Sequence, residues 1–274
     1  MIKNKKKWFA GDGKELRGSI GKGDKRGDAV VQVVCHQTRE VYSQTFYNGK
    51  KESEIPCVRQ LLDGLLGTQN ISLDALHFNP ETTGMIAEKE GNYLIGLKEN
   101  QKELLDDMTK FSEQKTSIKR HQEIEKGHGR IDKWEYKSYA IETEYFDERW
   151  VKSNFQTLIK VERASYECKT QKERAETSYY MSNLKISDEK EYELFNAVRN
   201  HWKVETNNYV RDVTFKEDNL KTKEATISSV LACGRTFAIN LLNRIKPTNM
   251  RAQIELFADD FQSLMLWLSE MKVL

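Results

Sequence analysis

The chain has 274 residues, with 44 Lys+Arg against 42 Asp+Glu, a net charge of +2, 31% charged and 38% hydrophobic positions. That length and apolar content suit one large domain, or a domain with an insertion, and exclude a disordered chain. No apolar run approaches the roughly 18–20 residues of a membrane span, and the basic start Met1–Lys7 leads into no apolar signal region.

The four cysteines, at 35, 57, 168 and 233, are widely spaced with no CxxC pair, which rules out a zinc ribbon and argues against a disulfide framework. A reducing compartment is expected. Residues 1–30 hold nine Lys/Arg against four acids, a net +5, so residues 31–274 carry −3. A basic, Gly-rich lead segment suggests contact with a polyanion, although a solvated Lys-rich start has the same composition.

In chain order, Lys7–Asp12 reads as a short aromatic strand and Ala29–Cys35 as a β-branched strand of a sheet interior. Glu40–Tyr47 alternates and pairs with it as a hairpin. Apolar spacing predicts a helix over Glu54–Leu66, and Asn70–Ala75 is a short strand ending at an acid. Asn79-Pro80 opens the next helix as N-cap and first helical position. Tyr93–Lys98 is a further strand, and Asn100 is expected to cap a helix through Phe111. Antiparallel strands followed by β-α alternation imply an α/β fold, a mixed sheet with helices on both faces.

Residues 115–185 differ in texture. Ile118–Ile141 alternates around Gly127-His128-Gly129, as a hairpin would, and Phe155–Arg163 and Thr177–Leu184 are also strand-like. This β-rich stretch is expected to be inserted into the sheet or to extend it. From Asp188 the chain turns helical, over Asp188–Tyr209, about Glu224–Arg244, and two shorter helices. The expected division is 1–115, 116–185 and 186–274.

Two acids at strand ends, Asp12 and Asp74, could meet if their strands are neighbours. Paired carboxylates repel unless a hard divalent cation offsets them. A third acid from a packed helix would complete a two-metal phosphoryl-transfer site, and Glu191, Glu193 and Glu205 are all placed to supply it. Strand-end acids also serve as turn or cap residues.

Several blocks together resemble the insertion-sequence DDE transposases of the H-repeat-associated branch. They are Gly11–Ser19, Leu73–His77 with Glu81-Thr82, Tyr93–Gln101, Gly127–Ile131, His201–Asn207 and Asp212–Asp218, in family order from about residue 8 to 245. The resemblance implies a ribonuclease H-like catalytic core with a β-rich insertion before the last catalytic helix. It implies a catalytic and metal-binding triad of Asp12, Asp74 and Glu205, holding two Mg²⁺ ions for which Mn²⁺ substitutes. The partners it implies are double-stranded DNA, both element ends and target, and a second copy of the chain as a homodimer. Lys14, Arg17, Lys98, Arg130 and His201 are the expected DNA contacts. His201 lies four residues before Glu205, on the same helix face, and either touches phosphate or is a packed side chain. Trp202 is expected in the core ahead of base stacking.

The implied activity is metal-dependent cleavage at element ends followed by strand transfer, in the bacterial cytoplasm. Two departures matter. Related transposases carry a Tyr-Arg-Glu-Lys signature around the last acid, where this chain has Val198, His201 and Asp212. Only eleven residues precede Asp12, where members carry a further N-terminal region, so a truncated remnant that only binds DNA is the alternative expectation, beside a nuclease that cuts without joining.

Overall fold

The computed structural model describes residues 6–49, 53–65, 69–127, 129–142, 146–187, 191–222 and 224–270. Strands β1 (Trp8–Glu15), β2 (Asp28–Cys35) and β3 (Val41–Asn48) precede helix α1 (Glu54–Asp63). Then come β4 (Asn70–Leu73), α2 (Pro80–Glu88), β5 (Asn92–Leu97) and α3 (Lys102–Gln114). Four strands follow, β6 (Lys119–Gly127), β7 (Arg130–Ala140), β8 (Thr157–Glu167) and β9 (Lys172–Ser182). The remaining helices are α4 (Glu191–His201), α5 (Lys203–Tyr209), α6 (Ala225–Ile245), α7 (Met250–Asp259) and α8 (Phe261–Glu270).

These strands form one nine-stranded sheet in the order β3-β2-β1-β4-β5-β9-β8-β7-β6. The first three are antiparallel, while β1, β4 and β5 run parallel. Antiparallel pairing of β9 with β5, from Leu94↔Ser182 to Leu97↔Tyr179, joins the β6–β9 meander to the same sheet. The β-rich stretch therefore extends the sheet.

Side chains alternate across the strands, so each strand feeds two cores. Phe9, Ile71, Leu73 and Ile95 meet Val58 and Leu62 of α1, Ile86 of α2 and Leu104 of α3. On the opposite face Trp8, Leu94 and Ile159 meet Leu194, Phe195 and Val198 of α4, and Ala10 and Val34 meet Val204 of α5. Each such fully buried aliphatic contributes about 2 kcal/mol of transfer free energy. The catalytic-helix candidate is thus clamped on one face of β1 and β4.

Several elements differ from expectation. β1 continues past Asp12 to Glu15, because its pairing with β2 runs on to Glu15↔Ala29 after the parallel pairing with β4 stops at Gly11↔Leu73. Asp12 therefore closes only the parallel ladder. α1 ends at Asp63, and Leu66, the last residue of the expected helix, lies outside the described residues. Asn79 caps α2 by accepting from the Thr82 N–H, as expected. Asn100 does not cap: it sits in a 3₁₀ turn, Glu99–Gln101, and its amide donates to the Ala75 carbonyl at 2.6 Å. The expected single helix to Tyr209 is broken at Trp202 and continues into a π-helical turn, Val210–Thr214. Periodicity cannot register a one-residue break. In the β6–β7 hairpin, His128 lies outside the described residues.

α6 is long and apolar enough by length and composition to cross a membrane, with a mean hydropathy of 1.3, although its apolar residues form no continuous run. Here it lies against β2 and β3, and Thr236, Asn240 and Asn243 bond to Gln32, Val41 and Arg39. Against its middle turns a buried ion pair joins Arg211 of the π turn to Glu217, with both guanidinium–carboxylate bonds under 3 Å and Arg211 also donating to Thr236. No disulfide joins the cysteines among the described residues.

A candidate catalytic site of facing carboxylates

The register fixes the first two acids. Gly11 pairs with Leu73 in the parallel ladder, so Asp12 and Asp74 occupy the next matched positions on strands about 4.8 Å apart. Both share the face of Trp8, Ala10, Asn70 and Ser72, to which α4 and α5 are docked. Asp74 accepts from the Leu76 N–H at 3.0 Å as the cap of a 3₁₀ turn, Ala75–His77, so it does serve a local structural role.

The third acid follows from how the α4–α5 segment lies. Glu193 bonds Trp8 Nε1 at 2.8 Å and Asn70 Nδ2 at 2.9 Å, which commits it to pinning α4 on the strand starts. His201 Nδ1 meets Ser72 Oγ at 2.9 Å. The chain runs from His201 directly into α5, and Glu205 comes near enough to Asp12 and Asp74 for their charges to act on one another. The charge of Glu205 acts on Asp12, and that of Asp74 acts on Glu205. The Glu191 side chain lies outside the described residues.

Electrostatics mark the cluster. Burial, then the charges of Glu54, Asp74 and Glu205, push Asp12 from 3.8 up to about 7. Glu205 is also raised, by burial and by Asp74, with Lys98 acting in the opposite sense. Two residues that spacing did not single out belong here. Asn208, three positions after Glu205 and on its helix face, donates Nδ2 to Asp12 Oδ2 at 2.9 Å. Glu54, the first residue of α1, meets His77 Nε2 at 2.9 Å, while Asp74 Oδ1 lies 3.8 Å from the same nitrogen. The i,i+3 spacing of Asn208 was the only available signal. An acid opening a helix looks like any other N-terminal acid.

Behind the acids Ser72 bridges two histidines, His36 Nε2 and His201 Nδ1, each at 2.9 Å. Burial, then neighbouring positive groups, lowers His36 to about 3 and His201 to about 4, so both rings are neutral at pH 7. His201 is thus a packed, bonded side chain that holds α4 on β4. Ser72→Ala strands two enclosed ring nitrogens and is expected to cost about 2 kcal/mol, read from the urea midpoint.

The other expected DNA contacts are dispersed. Lys14 is buried and bridges Asp212 at 2.6 Å and Asp218 at 3.2 Å, so its ammonium is engaged inside the protein. That pairing also accounts for Asp212 in place of a basic residue. Arg17 is exposed, near Asp218. Arg130 bonds Asp132 at 2.9 Å at the far end of the meander, four strands from β4. Lys98 is exposed beside Glu205 and lines a cleft of about 910 Å³ with Asp74, Tyr180 and Trp202. Trp202 is 52% exposed there, and the expected core placement is wrong: the helix break turns it outward.

All donors at the site are carboxylate oxygens, which suit a hard divalent cation, and a bound cation would relieve the repulsion that lifts Asp12. Among the described residues no three His, Cys, Asp or Glu side chains converge as a ready-made metal shell, so the fit rests on donor type and charge.

The order β3-β2-β1-β4-β5, with helices on both faces and acids at the ends of β1's parallel ladder and β4, defines a ribonuclease H-like protein. The transposase DDE domain model matches residues 5–241, and the chain belongs to that family. A putative transposase, YncI, of Escherichia coli O157:H7 is 28% identical over 247 residues, covering 86% of this chain and 61% of that protein. An uncharacterised protein from the dhlA 3′ region of Xanthobacter autotrophicus is 32% identical over 128 residues, 44% of this chain and 42% of its own length. The chain thus spans less than two thirds of each of these relatives. Among solved structures, the piggyBac transposase in a synaptic complex with hairpin DNA superposes with a TM-score of 0.50 at 15% identity, covering 97% of this chain and 55% of that one. That likeness concerns the fold.

Proposed function

We propose that the chain is the catalytic part of a DNA transposase, cleaving phosphodiester bonds at element ends and transferring the strand to target DNA. The observation that carries this is the register-matched pair Asp12 and Asp74, with Glu205 close enough for its charge to act on Asp12 and with His201 bonded to Ser72 just before it. These three carboxylates would hold two Mg²⁺ ions, with Mn²⁺ substituting, and bound there the ions would activate the attacking hydroxyl and neutralise the leaving oxygen. Asn208 orients the Asp12 carboxylate through its 2.9 Å bond, and the His36–Ser72–His201 chain holds the helix that carries Glu205.

Lys98 brings positive charge to the cleft mouth for the DNA backbone, and Trp202 offers an aromatic face to a base unstacked near the cut. Trp202→Ala is expected to weaken binding of nicked DNA about tenfold while leaving the fold intact, as read by fluorescence anisotropy. Equal binding by both proteins removes Trp202 from the site. A second copy bound to the other element end, and a cytoplasmic location, belong to the same proposal. Mn²⁺-dependent nicking of supercoiled DNA, compared between wild type and Asp74→Ala, tests the whole.

A further inference from the structure

Glu54 approaches the acids from the side of the sheet opposite to Asp12. Strand alternation turns the Asp12 side chain toward α5 and the Cα hydrogens of Gly13 toward α1. A Cβ at Gly13 would overlap the Glu54 carboxylate, so this carboxylate packs directly on the backbone of the residue after Asp12. The Glu54 side chain is 17% exposed, and Oε1 is fixed by His77 Nε2 at 2.9 Å. His77 is fully buried, three residues after Asp74, and its Nδ1 has no partner among the described residues. Glu54 opens α1, where the helix dipole favours a negative side chain.

We propose that Glu54, held by His77 and seated over Gly13, is a positioning residue that raises the affinity of the Asp12–Asp74–Glu205 site for divalent cations through its charge, without coordinating the ion. The inference rests on the metal-dependent site proposed above. The number of charges around a cation site tunes its affinity, and a fixed carboxylate one residue from a ligand acts over a short, poorly screened path. Gly13 is then a glycine because any side chain would displace Glu54.

Calorimetric titration of the whole chain with Mn²⁺ alone, without DNA, tests this. Glu54→Gln keeps an oxygen for His77 but removes the charge, and its dissociation constant for Mn²⁺ is expected to rise about tenfold. Glu54→Asp, which keeps the charge and shortens the reach to His77, is expected to stay within about threefold of wild type. Equal Mn²⁺ affinity in wild type and Glu54→Gln, with binding lost in Asp74→Ala, overturns the inference alone. A wild type that takes up no Mn²⁺ overturns it together with the metal site. A Glu54→Asp protein as weak as Glu54→Gln overturns it too, because contact geometry would then outweigh charge.

Discussion

Replacing Asp74 with alanine is expected to lower Mn²⁺-dependent nicking of supercoiled DNA by about 10³-fold or more, with the fold retained. The size follows from what the carboxylate does. Phosphoryl transfer depends on positioning and on neutralising charge at the scissile phosphate, and losing one ligand of the cation site forfeits several kcal/mol of that. Each 1.36 kcal/mol is tenfold in rate, so about 4 kcal/mol gives the stated loss. Asp74 is a good choice because it is half-exposed and its structural contribution is one bond to the Leu76 N–H, worth about 1 kcal/mol. Loss of activity with an unchanged melting curve therefore reports on chemistry. If wild type and variant behave alike, the catalytic proposal fails and the chain is better described as a DNA-binding relative of the family. Cutting without joining of a supplied 3′ end would make it a nuclease.

The second large effect is one of stability. Without metal, Asp12→Asn is expected to be more stable than wild type at pH 8, by on the order of 4 kcal/mol, and the gap should close as the pH falls toward 4. Asp12 moves from 3.8 to about 7 because it is buried beside Glu54, Asp74 and Glu205. The folded state thus holds this proton more tightly than the unfolded chain. Wild-type stability from this group is greatest below pH 4, declines as the pH rises to about 7, and is flat beyond. His36 and His201, lowered to about 3 and 4, act in the opposite direction, since they disfavour the folded state as the pH falls below about 6.5. Comparing variant with wild type at each pH cancels them. Asparagine can still accept from Asn208, so the variant removes charge and keeps the contact. Urea unfolding in EDTA at pH 5 and pH 8 measures the effect, and a gap that does not widen with pH would show that the acids are not crowded. The same proton competes with a cation, so metal uptake should weaken below pH 7.

These two expectations depend on different parts of one construction. The first needs Asp74 at the cation site. The second needs only that Asp12 is buried with the charges of three other carboxylates close by, which the register of β1 on β4 and the placement of α1 and α5 bring about.

Much of this was legible in the chain itself. β-branched runs such as Ala29–Cys35, the alternation of Glu40–Tyr47 and the Asn79-Pro80 helix start are local signals, and local physics decides them. The order of motifs from Gly11 to Asp218 placed the chain in its family, and that resemblance is what proposes the triad, since spacing alone could not choose among Glu191, Glu193 and Glu205. What the tertiary structure decided were relations between segments distant in sequence. Lys14 read as a surface cation but closes a buried bridge to Asp212 and Asp218, about two hundred residues away. Trp202 read as core but faces the cleft, because the helix breaks under it. Glu54 and Asn208 enter the site only when α1 and α5 pack against opposite faces of β1. Periodicity reports which face of an element is apolar. It carries no information on which charged side chains a neighbouring element will bring within a few ångströms, since that depends on the register and crossing of elements that only the packed core fixes.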